Sequence, residues 1–181
     1  MLSVICPIYN EEKYIRQCID SILSQDYPYN DLEVLFVDGM STDCTRAIVT
    51  EYTKQYSHIQ LIDNPHKIVP CAMNIGIHAS KGNIIIRLDA HASYQPDYFS
   101  VLYRYSCELR VENVGVVCKT DVLNKTPKTL AIREVLSNKF GVGNSAFRTG
   151  INQIMEVDTV PFGCWPRSVF DRYGLYDIKR S

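Results

Sequence analysis

The chain has 181 residues, a length at which one α/β domain with a single hydrophobic core is expected. Lysine and arginine number 19 against 20 aspartates and glutamates, so the net charge is -1 and no basic excess is available to bind nucleic acid. Hydrophobic residues make up 46% of the sequence, which excludes an intrinsically disordered chain.

Membrane spans and secretion signals are also absent from the sequence pattern. The apolar runs are only a few residues long, whereas a membrane helix needs about 20. The N-terminus lacks the cationic flank and cleavage site of a secretory signal. The seven cysteines are widely spaced and form no C-x-x-C pair, which is typical of reduced thiols in a cytosolic protein. We therefore expect a cytoplasmic protein.

Short β-branched runs alternate with amphipathic stretches over residues 1–112, which predicts four βα units on a mostly parallel sheet. The predicted strands are 2–8, 32–37, 59–62 and 83–88. The first predicted helix carries an apolar stripe, which consists of Ile15, Cys18, Ile19, Ile22 and Leu23. The other three predicted helices are 43–56, 71–80 and 96–112. Asn10 is expected to cap the first helix, either Ser41 or Thr42 the second, and Gly82 to end the third in a left-handed conformation.

The pattern becomes less regular after residue 113. Strands are expected at 114–122 and 153–160, and helices at 129–138 and 166–173, the last stopping at Gly174. The Gly/Asn/Ser-rich stretch 140–150 is expected to form a loop.

Polar side chains follow each of the four predicted strands. They are Tyr9-Asn10-Glu11, then Asp38, then Asp63-Asn64, and finally Asp89-Ala90-His91. Because the carboxyl ends of parallel strands meet at one edge of the sheet, where ligands bind, we expect these clusters to converge. Loop polarity or helix capping would explain any one of them alone. Four clusters at one edge favour a functional site.

The turn after the first strand argues against a glycine-loop nucleotide site. A Rossmann or P-loop protein cradles phosphate with a glycine-rich turn at this point, whereas this chain has residues 7–12, PIYNEE. Carboxylates at the edge would repel a diphosphate unless a divalent cation lies between them, and Asp89 offers the oxygen ligands that hard cations prefer. The sequence therefore predicts a metal-bridged nucleotide.

Four runs resemble the family 2 glycosyltransferases: VICPIYNE at 4–11, VDGMSTD at 37–43, NIG at 74–76 and RLDAH at 87–91. Two further runs, FGVGNS at 140–145 and VPFGC at 160–164, look like the subgroup that builds bacterial exopolysaccharides such as succinoglycan on lipid carriers. The resemblance implies the GT-A fold, a Rossmann-like wound, mostly parallel sheet flanked by helices, with a less regular C-terminal part. It also implies inverting sugar transfer from a nucleotide-diphosphate donor, a UDP-sugar, to a glycan or lipid-linked glycan at the inner membrane face.

The resemblance assigns donor-binding roles to Pro7, Tyr9, Glu11, Asp38, Asn74 and Asp89. In this scheme Tyr9 stacks on uracil, Glu11 bonds the ribose hydroxyls, and Asp38 accepts the imide N–H. Asn74 would lie on the helix that faces the diphosphate, although a helix-packing or capping amide is an equal alternative.

Asp89 and His91 occupy the family's Asp-x-Asp position. A metal held there bridges the diphosphate and offsets the charge of the leaving group. Imidazole suits Mn²⁺ better than Mg²⁺, so Mn²⁺ is expected first and Mg²⁺ second. The alternative makes His91 a loop residue bonded to the backbone.

The remaining candidates each have a structural alternative. His66 and Lys67 could touch phosphate, or be solvated loop cations. On the expected acceptor side, Asp158 could contact a sugar hydroxyl or serve as a turn partner. Trp165 could stack on a sugar face or pack in the core.

An inverting transfer also needs a general base. Family members place it in an acidic pair shortly beyond the segment that matches residues 169–174, so it is expected beyond Ser181 and the chain is expected to be a fragment or a shortened protein. The resemblance thus implies one GT-A-like domain over 1–181, with nucleotide-binding units in 1–112 and an acceptor-side part in 113–181. The alternative function is a non-catalytic nucleotide-binding module.

Overall fold

Five strands form one sheet in the computed structural model, which describes residues 1–122, 124–143 and 145–179. The strands are β1 (Leu2–Ile8), β2 (Leu32–Asp38), β3 (Ile59–Asp63), β4 (Ile84–Arg87) and β5 (Cys164–Pro166), arranged in the order β3-β2-β1-β4-β5. The first four run parallel to one another, and β5 pairs antiparallel with β4. The register sets Ile8 beside Asp38 and Asp38 beside Asp63, so the carboxyl ends of β1, β2 and β3 lie side by side.

Helices follow each of the parallel strands. They are α1 (Ile15–Leu23), α2 (Thr45–Gln55), α3 (Val69–Ala79) and α4 (Tyr98–Leu109). The sheet core lies under α3, where Ile5, Leu35, Met73 and Ile85 are buried together. Gly76 permits this close packing, because a Cβ at that position would lie 2.5 Å from Cγ2 of Ile5.

The four predicted βα units and the mostly parallel sheet are confirmed, with strand ends within one residue of those expected. The nearly continuous burial of β1 and β2 is typical of parallel strands covered on both faces. A parallel strand of this kind is easy to recognise because most of its residues are apolar; Ser3 in β1 and Glu33 in β2 are buried polar exceptions that hydrogen-bond to each other.

Three predicted helix ends are wrong. Asn10 does not cap α1; its backbone is left-handed (φ 55), and its side-chain oxygen accepts the N–H of Thr42. Neither Ser41 nor Thr42 caps α2, whose N-cap residue is Cys44. Gly82 is not left-handed; it is required because a Cβ there would lie 2.4 Å from Oγ of Ser3, which accepts the Gly82 N–H.

The chain divides into two compact units: Met1–Val114 with Phe162–Ser181, and Gly115–Pro161. In the first, β5 and the helix α8 (Arg167–Tyr173) return the chain to the sheet. The stop predicted at Gly174 is confirmed, with φ 88 at that residue. The division into 1–112 and 113–181 stays a prediction.

The second unit contains α5 (Pro127–Ser137), α6 (Lys139–Val142) and α7 (Ala146–Thr149). A capping box begins α5, because the Thr126 and Thr129 side chains each accept the other's backbone N–H. The strands predicted at 114–122 and 153–160 are wrong, since the described residues there include a single bridge from Val114 to Cys164 and no strand. The stretch expected as a loop at 140–150 holds two helical turns, and Asn144 within it lies outside the described residues. Across the part of the chain that the structure describes, no helix combines the length and apolar character of a membrane span.

Candidate functional site

A cavity of about 240 Å³ opens at the carboxyl edge of the sheet. Its ionisable members are Glu11, Lys67, Arg87, Asp89 and His91, which come from the loops after β1 and β3 and from the end of β4 and the loop after it. Apolar side chains from Ile8, Val37, Ile68 and Ala72 line the rest, and Pro7 and Tyr9 complete the wall beside β1. The predicted convergence of strand-end clusters is therefore present for the first, third and fourth strands.

Backbone strain is concentrated around this cavity. Five non-glycine residues in the described ranges have a positive φ: Asn10, Met40, Lys67, Arg110 and Phe162. The first three lie in the loops after β1, β2 and β3, and the ring of Phe162 lies beneath Arg87. Left-handed backbone is costly for such residues and persists where surrounding contacts fix it, as at functional sites.

The loops after β1 and β2 fix each other by hydrogen bonds. The Asn10 N–H donates to Oγ of Ser41, and the Glu11 N–H donates to Oγ1 of Thr45. Tyr9 is 47% exposed and lies over Gly39, where a Cβ would come 3.3 Å from the Tyr9 ring. The absence of a side chain at Gly39 thus keeps one face of the cavity open beside an aromatic ring.

Glu11, Asp89 and His91 are brought together as predicted. Nδ1 of His91 lies 3.4 Å from Oε1 of Glu11, and Nε2 of His91 lies 3.8 Å from Oδ2 of Asp89. His91 contacts carboxylates on both sides, and its ring also meets the ring of Tyr14 edge-on. The contacts of His91 are thus with side chains, whereas the alternative interpretation expected a hydrogen bond to the backbone.

These three residues fit a divalent cation that is shared with a substrate. Within the described ranges, no group of three or more His, Cys, Asp or Glu side chains is arranged to hold a metal ion unaided. Asp89 and His91 nevertheless offer a carboxylate and an imidazole on the same cavity wall. Magnesium and manganese in nucleotide sites take only one or two protein ligands and complete the shell with phosphate oxygens and water.

Asp38 lies behind the cavity wall rather than in it. Its side chain is 0% exposed, and its carboxylate accepts hydrogen bonds from the Ser41 hydroxyl, the Ser41 N–H and Arg46. Arg46 also pairs with Asp63 at 2.8 Å, and these two carboxylates raise the pKa of Arg46. The carboxylate is thus fully buried and bound to Ser41 and Arg46, and the contact of Asp38 with a uracil imide stays a prediction.

Asn74 is also directed away from the cavity. Its amide donates to the carbonyl oxygen of Tyr176 and accepts the Tyr176 N–H, both at 2.9 Å. These two bonds fix the segment after α8 against α3. The packing amide, one of the two alternatives for Asn74, matches this contact.

The remaining candidates, Trp165, Asp158, His66 and Lys67, also differ in where the structure places them. Trp165 is half-buried in β5 and packs edge-on against Phe170 at 5.9 Å between ring centroids, in accord with core packing. Asp158 is exposed in the second unit at a bend, not at a strand end as expected. Lys67 lines the cavity, whereas His66 does not.

Two cavity residues lie in the predicted clusters and motifs but were given no individual role by sequence reasoning. Asn64 is almost fully buried and holds the turn that presents Lys67, since its side chain bonds the His66 N–H and the Ile68 carbonyl. Arg87 ends β4 and points a guanidinium into the cavity wall. The sequence signal that could have identified Arg87 is its position at the end of the apolar run Ile84–Ile86, because a cation there must leave the core.

Comparison with known proteins gives a family and a fold. The model for "Glycosyl transferase family 2" matches residues 3–178. A Methanococcus voltae protein, dolichyl N-acetyl-alpha-D-glucosaminyl phosphate 3-beta-D-2,3-diacetamido-2,3-dideoxy-beta-D-glucuronosyltransferase, is 29% identical over 98% of this chain and 53% of its own length. The succinoglycan biosynthesis protein ExoA of Rhizobium meliloti is 29% identical over 81% of this chain and 44% of its own. The chain thus spans about half the length of these relatives.

Solved structures share the fold at lower identity. Staphylococcus aureus TarS 1-349 superposes with a TM-score of 0.73 and 18% identity over 99% of this chain and 50% of TarS. The complex of TarS 1-349 with UDP-GlcNAc superposes with a TM-score of 0.69 and 17% identity, over 97% of this chain and 48% of TarS. The mannosyltransferase PcManGT of Pyrobaculum calidifontis, in complex with GDP-Man and Mn²⁺, superposes with a TM-score of 0.69 and 23% identity. The match covers 97% of this chain and 47% of PcManGT. The predicted GT-A architecture is confirmed by these matches.

Proposed function

The chain belongs to glycosyl transferase family 2, and from this premise we propose that its carboxyl-edge cavity binds a nucleotide-diphosphate sugar as the donor of a sugar transfer. The observation that carries the proposal is that Glu11, Asp89, His91 and an exposed aromatic ring share one cavity at the carboxyl edge of the sheet. Enclosed carboxylates beside a stacking ring suit a ligand with a base, a ribose and a metal-neutralised diphosphate.

The nucleoside end of the donor is assigned to the wall beside β1. The ring of Tyr9 offers a stacking surface, and Pro7, Ile8 and Val37 offer apolar contacts to the base. Glu11 accepts hydrogen bonds from the ribose hydroxyls. Asp38 holds the loop after β2 through Ser41, and Asn74 fixes the segment after α8 through Tyr176, and neither lines the cavity. Uridine is the proposed base, supported by the UDP-GlcNAc complex of the structurally similar TarS.

Asp89 and His91 would hold Mn²⁺ or Mg²⁺ together with the donor diphosphate. When bound, such an ion acts as a Lewis acid that offsets negative charge on the leaving nucleoside diphosphate. The complex of the structurally similar PcManGT with GDP-Man and Mn²⁺ supports the use of a divalent cation. Asp89 contributes a fixed carboxylate, since its backbone is anchored by Tyr94.

Sugar transfer itself is proposed for the whole protein. The reaction is an inverting transfer to a glycan or lipid-linked glycan in polysaccharide biosynthesis, at the inner membrane face. The likeness to ExoA, a succinoglycan biosynthesis protein, supports this context. No described residue is assigned as the general base that deprotonates the acceptor hydroxyl, and the acceptor-side roles of Asp158 and Trp165 stay predictions.

Isothermal titration of the chain with UDP, in Mn²⁺ and in EDTA, tests donor binding. We expect UDP to bind more tightly than GDP and only weakly once EDTA removes the cation. Asp89→Asn should weaken the metal-dependent binding of UDP by about 2 kcal/mol, roughly 30-fold, because a charged ligand is lost. Asp97→Asn is the matched control, since it removes an exposed carboxylate outside the cavity wall.

Two outcomes would contradict the proposal. The first is a chain that binds no nucleoside diphosphate in either buffer. The second is an Asp89→Asn variant that retains the full gain in UDP affinity on addition of Mn²⁺. Circular dichroism spectra of both variants establish that the comparison is made between folded proteins.

A further inference from the structure

Arg87 is a cavity cation whose hydrogen-bonding capacity is not used by the described residues. Its Nε is buried with no hydrogen-bond partner, and its nearest carboxylate oxygen, Oδ1 of Asp89, lies 3.6 Å from Nη2, beyond hydrogen-bonding distance. Arg167, by contrast, donates to the backbone or side chain of Gly82, Ile77 and Ser80. The Arg87 side chain is only 26% exposed, so bulk water does not fully compensate for the missing partners.

The surroundings of Arg87 fix the guanidinium without neutralising it. The Arg87 guanidinium carbon lies 5.6 Å from the centre of the Phe162 ring, a cation–π contact. Phe162 adopts a left-handed backbone (φ 61), and the next residue, Gly163, accepts the Arg87 N–H at 3.2 Å. The phenol of Tyr176 is close enough for the charge of Arg87 to lower its pKa, although burial raises that pKa more.

The charge balance leaves Arg87 in need of an anion. Asp89 is the carboxylate within ion-pair distance among the described residues, and it also faces His91. Once Asp89 is committed to a cation, its remaining attraction for the guanidinium falls. A planar guanidinium with free N–H groups is the side chain best suited to bind two oxygens of a phosphate at once.

We propose that Arg87 binds the diphosphate of the donor directly, as a protein cation that acts alongside the divalent metal. This inference rests on the proposed function, and it adds a residue with a distinct signature. The contact is independent of the metal, so Arg87 should favour UDP over uridine even when no divalent cation is present. If Arg87 only screened the charge of Asp89, its replacement would change how strongly UDP binding depends on the metal. The preference for UDP over uridine without metal would stay the same.

The test compares uridine, UMP and UDP as ligands of the wild-type chain, Arg87→Gln and Arg87→Lys, each titrated in EDTA and in Mn²⁺. Arg87→Gln should weaken UDP binding about 10- to 100-fold in both buffers, with uridine affinity unchanged within about twofold. Arg87→Lys should fall between wild type and Arg87→Gln, because an ammonium keeps the charge and loses the two-pronged geometry. Arg172→Gln is the matched control, since that arginine pairs with Glu112 outside the cavity.

The outcomes separate this inference from the proposed function. A wild-type chain that binds no UDP would defeat the proposed function. A wild-type chain that binds UDP normally while Arg87→Gln loses uridine and UDP equally, or loses neither, would defeat only the role of Arg87. If Arg87→Gln does not fold, Arg87→Lys decides: a loss of UDP affinity of at least about threefold with uridine spared supports the contact, and no loss refutes it.

Discussion

The Tyr94 hydroxyl bonds both backbone polar groups of Asp89. It accepts the Asp89 N–H at 2.8 Å and donates to the Asp89 carbonyl oxygen at 2.9 Å. One side chain therefore closes the loop after β4 and sets the direction in which the Asp89 carboxylate leaves the backbone. Burial raises the pKa of Tyr94, which keeps the hydroxyl protonated and able to donate.

Tyr94→Phe should therefore weaken metal-dependent UDP binding indirectly, through the position of Asp89, because Tyr94 is not proposed to contact the ligand. The substitution leaves the Asp89 N–H unpaired and removes one donor from the Asp89 carbonyl, which still accepts the Ala92 N–H. We expect the free energy of unfolding to fall by about 1–3 kcal/mol. Urea unfolding measures the stability, and titration with UDP in Mn²⁺ measures the affinity. Tyr105→Phe, which removes a hydroxyl from α4 outside the cavity wall, should change neither. A Tyr94→Phe variant with wild-type affinity and stability would show that the two bonds do not anchor the loop.

The same hydroxyl predicts how stability varies in alkaline solution. The pKa of Tyr94 in the folded chain lies above its ordinary value of 10.0 because of burial, so the unfolded chain releases this proton first. Its contribution to stability is complete below about pH 10 and is lost as the pH rises towards the folded pKa. Above about pH 10, the free energy of unfolding of Tyr94→Phe should fall less steeply than that of the wild type, by about 1.4 kcal/mol per pH unit. Urea unfolding at several pH values measures both slopes, and equal slopes would contradict the prediction.

Arg46 supplies an internal comparison between a buried and an exposed partner. Asp38→Asn should lower the free energy of unfolding by about 2 kcal/mol, because it removes the charge of a fully buried carboxylate that binds Ser41 and the partly exposed Arg46. Asp63→Asn removes the other partner of Arg46, which is 59% exposed, and should cost at most about 1 kcal/mol. Chemical denaturation of the two variants measures the difference. Equal losses would mean that burial does not distinguish the two pairs.

The sheet is largely predictable from sequence because parallel strands are buried on both faces. β1 and β2 are mostly apolar, with Ser3 and Glu33 as interruptions, and their limits agree with the prediction to within one residue. The antiparallel edge strand β5 is different: it has three residues, one of them Pro166, and makes its contacts with β4. Such a short strand has no periodicity to detect. The apolar residues of 114–122 and 153–160 were wrongly predicted as strands, because short apolar runs alone do not identify a strand.

The candidate site was predictable where a residue follows a strand, and less so where tertiary contacts decide. Glu11, Asp89 and His91 face the cavity because strand ends meet there. Asp38 also ends a strand, yet Ser41 and Arg46 bind its carboxylate, and those bonds depend on loop conformations that sequence patterns do not define. Asn74 bonds a residue 102 positions away in the chain, a partner that no local pattern identifies.

Asn74→Ala separates a structural role from donor binding. The variant loses both bonds to the Tyr176 backbone, so the free energy of unfolding should fall by about 1–3 kcal/mol. UDP affinity, measured by titration in Mn²⁺ on the folded variant, should stay within about twofold of wild type because Asn74 is not in the cavity wall. Asn30→Ala, at an exposed asparagine in the turn Tyr29–Asp31, should change neither quantity. A large loss of UDP affinity with unchanged stability would instead return Asn74 to the donor contacts that the family resemblance implies.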